Sequence, residues 1–219
     1  MTKNGLRVSG VCLMLLLSGC AQHVRMVGDT ARLAIFGQPD IQIPPQKVAE
    51  LPYASAYLKV GHAPRAFVIL GMAEQGDLKW FSADKNMVVT RAGRLIKTAG
   101  FGEDIRYHDN LDHDPLASGL LKTTTPLKWQ HRVEWSQVYR GGYELVSEFQ
   151  AKGAETVVIL DKQRTLQRFD ETVTVSALNV SYINQFWLDP VSGKVVQSHQ
   201  YMGPNLALVQ FTLLKPYAE

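Results

Sequence analysis

Apolar and polar residues change rhythm twice along the chain. The first stretch is a block. Met1 to Arg7 is short and basic, Val8 to Leu17 is largely apolar, and Ser18-Gly19-Cys20 follows with two small residues before a cysteine. That order is the order of an export signal. The apolar run is too short to span a bilayer, which takes roughly 20 residues. The second stretch, 20–52, has no sustained period. Asp29 is placed to cap a short helix over Thr30 to Phe36, with Gly37 closing it and Met26, Leu33 and Phe36 on one side. Pro39, Pro44, Pro45 and Pro52 break any longer helix, and Gln46 to Leu51 has room for one more turn. From Tyr53 onward the period is two. Ala66 to Leu70 is a buried-strand run, and Leu78 and Trp80 alternate with Lys79. Asn86 to Arg91 and Leu95 to Thr98 flank an Ala92-Gly93 turn. Leu127, Trp129, His131, Val133 and Trp135 alternate with Lys128, Gln130, Arg132 and Glu134. Val157 to Leu160, Thr172 to Phe186, Lys194 to Tyr201 and Leu206 to Leu214 read as further strands, with a turn at Asp189 to Gly193. The pattern predicts a mainly β fold: an antiparallel curved sheet or barrel-like body over 53–219, with short N-terminal helices and a tether over 20–52.

Composition sharpens this. Removing 19 residues from 219 leaves 200, enough for one domain with a proper core. The formal charge of +3 includes Lys3 and Arg7, so the chain after cleavage carries 3 − 2 = +1. With no long Lys/Arg run, nucleic acid is not an expected partner. Of the two cysteines, Cys12 would leave with the signal, and Cys20 alone cannot form an intrachain disulfide. Leu17-Ser18-Gly19-Cys20 resembles the bacterial lipobox. The resemblance implies a diacylglyceryl thioether on Cys20 and an acyl group on its amino terminus. At about 0.8 kcal/mol per buried CH₂, such chains together hold a protein firmly to a membrane. Ala21, rather than Asp, after the cysteine implies the outer membrane, on its periplasmic face.

Two stretches resemble one family. Trp80 and the run Thr90 to Gly100 fit a G-R-hydrophobic-x-x-T-x-G segment, and Phe186 to Gln200 fits a W-x-D-x-x-x-G-x-V-x-x-S-x-Q segment. Both resemble the group 4 capsule lipoproteins, the YjbF/GfcB family. The resemblance implies a β-rich, outer-membrane-anchored accessory factor of exopolysaccharide or capsule production or export, without enzymatic activity. Its partners would be secretion proteins and possible polysaccharide.

The candidate surface for a glycan or partner comprises Trp80, Arg91, Arg94, Lys97, Trp187, Asp189 and Gln200. Indole faces stack on sugar rings, and the cations suit an acidic polymer. Against this, alternation favours core positions for the tryptophans, and the cations also suit a solvated hairpin. Tyr107 to Pro115 holds two histidines and three aspartates, but it lacks the spacing of a metal loop and reads as a polar turn. No metal, other cofactor or catalytic residue is expected. Glu144, Glu148, Asp170 and Glu171 read as strand and turn surface. Two alternatives remain. A lipid or lipoprotein carrier of half-barrel type predicts a large apolar cavity under the sheet. A glycan-processing enzyme predicts two carboxylates facing each other across a cleft. An unpaired edge strand would allow a homodimer.

Overall fold

The computed structural model describes residues 39–139 and 141–218. The signal over 1–19, Cys20 and the helix expected over Thr30 to Phe36 lie outside them. Twelve strands form one antiparallel sheet: β1 Ser55–Val60, β2 Ala66–Glu74, β3 Asp77–Ser82, β4 Met87–Arg91, β5 Arg94–Ala99, β6 Ile105–His108, β7 Lys128–Trp135, β8 Tyr143–Ile159, β9 Lys162–Val175, β10 Val180–Leu188, β11 Val195–Tyr201 and β12 Leu208–Lys215. The order is β5-β4-β3-β2-β1-β12-β11-β10-β9-β8-β7-β6. Two meanders are therefore joined where β1 pairs with β12, and the sheet's two ends, β5 and β6, follow one another in sequence.

Those ends meet and nearly close a barrel. The Ile105 amide donates to Thr98 Oγ1 at 2.9 Å, and the Thr98 hydroxyl donates to Asp104 Oδ1 at 2.9 Å. The Gly100 amide donates to Asp104 Oδ2 at 3.1 Å. Side chains thus take the place of a ladder at the seam.

Alternation builds the interior. In β7, Trp129, His131, Val133 and Trp135 are buried, while Lys128, Gln130 and Arg132 are exposed. Inside, Trp80 meets Phe211 edge-on at 5.2 Å, among Leu58, Val68, Val88, Leu145 and Val209. Phe149, Phe169, Phe186 and Leu188 continue the core towards Leu116 and Leu120.

Two expectations change. Thr172 to Phe186 is not one strand, because Ser176–Leu178 forms a 3₁₀ turn and Asn179 sits left-handed at φ 50°. Asn tolerates that conformation without a glycine to announce it. Val157 to Leu160 is not a separate strand but the far end of β8. The β8–β9 pair has a bulge at Ala151 to Gly153 (Gly153 φ 92°) and continues as an arm. The arm lays Ile159 and Leu166 against Trp187 and Val196, with Leu214 alongside, on the opposite face of the sheet from Phe186. Finally, residues 41–52, expected as part of the tether with one turn over Gln46 to Leu51, form that turn and pack against the barrel. Proline starts a helix well at its first position, and Pro45–Glu50 forms α1, with Val48 buried. Lys215 Nζ donates to the carbonyls of Ala49 and Leu51, and the Ile43 amide donates to Tyr57 Oη at 2.8 Å.

Candidate functional site

The two signature segments meet inside the barrel, although β5 and β11 are not neighbours in the sheet. Gln200 on β11 makes the join. Its Oε1 accepts the Leu95 amide at 2.9 Å, and its Nε2 donates to the Gly93 carbonyl at 2.9 Å and to Ser198 Oγ at 2.8 Å. Gly93 has φ 87°, and a Cβ there would lie 2.4 Å from Val195 Cβ. Only glycine fits both the turn and the approach of β11.

Arg94 points inward beside this clamp and is 3% exposed. Its Nε and Nη2 donate to Asp114, the latter at 3.1 Å to Oδ1. Its Nη1 and Nη2 donate to Glu171 at 3.1 and 2.9 Å. Asp114 lies just before α2 (Pro115–Ser118) and also caps it by accepting the Leu116 amide at 3.0 Å. Asn184 Nδ2 donates to Glu171 Oε2 at 2.8 Å, while its Oδ1 accepts the Tyr201 amide. Burial opposes the charge on Arg94, but Asp114 and Glu171 outweigh it and raise its pKa above the ordinary arginine value. One guanidinium thus ties β5, the α2 cap and β9 together.

Trp129 lies 4.6 Å beneath the Arg94 guanidinium. It stacks on His131 at 3.8 Å, and His131 Nδ1 pairs with His108 Nε2 at 2.7 Å. His131 Nε2 reaches Ser147 Oγ at 3.1 Å. Burial, and then the positive neighbour Arg94, hold the His108 pKa well below normal. Burial, His108 and Arg94 do the same to His131. Both imidazoles are neutral at pH 7. The cavity beside them has about 30 Å³, room for a water and far too small for an acyl chain.

Burial corrects several sequence expectations. Trp80 is 1% exposed and donates from Nε1 to Thr90 Oγ1 at 2.9 Å. Trp187 is 4% exposed under the arm. With Arg94 and Gln200 also buried, these four belong to the interior or to the seam beneath the arm, not to a glycan surface. Asp189 shapes its turn by accepting the Val191 and Ser192 amides at 3.1 and 2.8 Å, and it accepts Arg164 Nη2 at 3.1 Å. The Ser192 amide bond is the main reason its pKa lies below normal. Lys97 is exposed, and half-buried Arg91 donates to Asp77 at 2.6 Å.

The Tyr107 to Pro115 run divides rather than converging. His108 and Asp114 turn inward, while His113 pairs outward with Asn110. Among the described residues, no group of three or more His, Cys, Asp or Glu could hold a metal ion. Glu171, expected at the surface, is fully buried. A usable signal was its parity with Phe169, Val173 and Val175, all inward along β9.

The turns of both signatures, Ala92-Gly93 and Pro190 to Lys194, frame an open cavity of about 940 Å³ at one end of the barrel. Its floor is apolar, with Leu78, Trp80, Leu116 and Leu213. Val191, Leu121 and Tyr217 stand at its lip with Arg91, Lys122 and Lys194.

Residues 28–214 match the family described as group 4 capsule polysaccharide lipoprotein gfcB, YjbF. The chain is 34% identical over 205 residues to the uncharacterised lipoprotein GfcB of Escherichia coli (strain K12), covering 92% of this chain and 94% of that one. It is 30% identical over 206 residues to the uncharacterised lipoprotein YjbF of the same organism, covering 94% and 95%. The crystal structure of the hypothetical lipoprotein YmcC from Escherichia coli (K12) superposes with a TM-score of 0.74 at 33% identity, covering 87% of this chain and 96% of that one. The mostly antiparallel, barrel-like body is therefore a shared fold.

Proposed function

Because the chain belongs to the YjbF family of group 4 capsule polysaccharide lipoproteins, we propose that it is a non-enzymatic accessory factor of exopolysaccharide or capsule production or export. It is held by lipid on Cys20 at the periplasmic face of the outer membrane. There it acts as a rigid scaffold beside secretion proteins.

One observation carries this reading. The polar side chains of the signature segments bind one another inside the barrel, so they build a stiff body rather than a reactive centre. Asp114 and Glu171, a buried carboxylate pair, grip one guanidinium at 2% and 0% exposure. A glycosidase needs its two carboxylates open to substrate. A homodimer formed by edge pairing finds β5 and β6 already facing each other, so it would have to use another surface.

Envelope pull-down with the lipidated protein, together with a deletion strain, tests the proposal. Recovery of secretion components and altered polysaccharide are expected. Normal polysaccharide in the deletion strain, with no secretion component recovered, would overturn it. Mass spectrometry of the protein from its native host is expected to show acylated Cys20.

The carrier reading keeps one observation, the apolar floor of the end cavity. The cavity inside the barrel, beside His108 and His131, is only about 30 Å³. Lipid recovered by solvent extraction of the purified chain, and lost in Leu78→Asp, would support that second reading.

A further inference from the structure

The outer face of β1, β12 and β11 carries a different kind of cavity. Val209, Phe211 and Leu213 of β12 pack inward, so Gln210, Thr212 and Leu214 point outward. The register aligns outward side chains in two rows across the strands: Lys59, Gln210 and His199 in one, Tyr57, Thr212 and Gln197 in the other. Adjacent strands lie about 4.8 Å apart, close to the length of one pyranose residue. A polymer laid across the strands meets a fresh side chain with each sugar. A glutamine amide offers two donors and an acceptor in one plane, which suits neighbouring hydroxyls.

The interior amides are already engaged, as Gln200 and Asn184 show. Among the described residues, the side chains of Gln197, Gln210 and Thr212 make no intramolecular hydrogen bond. His199 meets Trp187 edge-on at 4.8 Å; burial, then Arg168, lowers its pKa, so its neutral imidazole offers a donor and an acceptor.

Two walls turn this face into a groove of about 680 Å³. One wall is Gln42 to Pro45, fixed by the Ile43 bond to Tyr57. Arg65 steadies it by donating to the Ile41 carbonyl at 2.9 Å while stacking 4.2 Å over Tyr57. The other wall is the arm tip, Val158 to Asp161, seated on the Trp187 cluster. A groove built in advance lowers the ordering cost of binding. Of its charged lining residues, Lys59 and Arg65 are cationic and Asp161 is anionic.

We propose that this groove binds a strand of acidic polysaccharide across β1, β12 and β11. The proposal rests on the polysaccharide reading above and adds the site and the ligand's charge. Affinity electrophoresis of the chain tests it, in native gels containing polysaccharide extracted from the host. Dextran and polygalacturonate serve as the neutral and acidic references. The host polymer is expected to retard the wild type, and polygalacturonate more than dextran. The double variant Gln197→Ala/Gln210→Ala is expected to bind about tenfold more weakly. Leu121→Asp, at the end cavity, is expected to bind as wild type does. Circular dichroism and the melting temperature check that the double variant is folded. An unretarded wild type, or a folded double variant retarded equally, would overturn the proposal. Complementation separates the two ideas. If deletion alters the polysaccharide and the double variant restores it fully, the groove fails and the accessory role stands. If deletion alters nothing, the accessory role fails while the gels still decide the groove.

Discussion

The barrel interior and the outer groove use the same residue types to opposite ends. Inside, Arg94, Gln200 and Asn184 are bonded on nearly every side, to Asp114, Glu171, Ser198 and backbone. Outside, the side chains of Gln197, Gln210 and Thr212 have no hydrogen-bond partner among the described residues. A buried polar group left unsatisfied costs about 1–3 kcal/mol, so most interior polar side chains here are bonded. A half-exposed one is satisfied by water and can exchange that water for a ligand. The interior residues are therefore part of the fold, and the outer ones are available for recognition.

This contrast can be broken by substitution, and the largest effect is expected at its centre. Arg94→Ala leaves Asp114 and Glu171 buried without a counter-charge, and a loss of about 3–5 kcal/mol is expected by urea denaturation. Arg94→Lys should recover little, because one ammonium cannot fork to both carboxylates. A loss below about 1 kcal/mol for Arg94→Ala would mean that the network does not hold the barrel.

Gly93→Ala comes next, with about 2–4 kcal/mol expected from its left-handed backbone and the contact with Val195. In a Val195→Gly background the cost should fall by about 1 kcal/mol, because the steric part is relieved and the backbone part remains. Equal costs in both backgrounds would show that the two signatures do not press on each other.

Acid supplies the third effect. His108 and His131 have folded pKa values below their unfolded ones, so the unfolded chain takes up protons first as pH falls. The stability from keeping them neutral is full above about pH 6.5, the unfolded value, and is lost below it. A loss of about 1–3 kcal/mol between pH 7 and 5.5 is expected by denaturation at each pH. A flat profile would place the pair in water. The smallest change is expected in the groove: Gln197→Ala and Gln210→Ala should each shift stability by less than about 0.5 kcal/mol. That separates a recognition residue from a structural one.

Much of the fold was legible wherever period-two alternation ran without interruption. β7 is the clearest case: every second residue from Trp129 to Trp135 is buried. The Ala92-Gly93 turn showed itself because glycine marks a positive φ. The turn at Ser176 to Asn179 did not, because Asn adopts the same conformation without a distinctive neighbour. The site was harder to read. Tryptophan and arginine look alike in sequence whether they face water or core, so the pattern alone does not show that Trp80, Arg94 and Trp187 are buried. Asp114 looks like part of a polar turn and Glu171 like surface, because a charged side chain is buried only when a partner compensates it, and that partner lies 20 residues away in one case and 77 in the other.

The order of residues alone determined the strands, most of the turns and the lipobox-like start of the chain, since these depend on neighbours within a few positions. It also carried the family, because both signature segments are contiguous. Tertiary structure decided which polar side chains face inward, that β5 and β6 nearly close the barrel, and that the β8–β9 arm and residues 42–45 wall a groove over β12. Those outcomes depend on contacts between distant strands, where register and burial, rather than local pattern, set which group meets which.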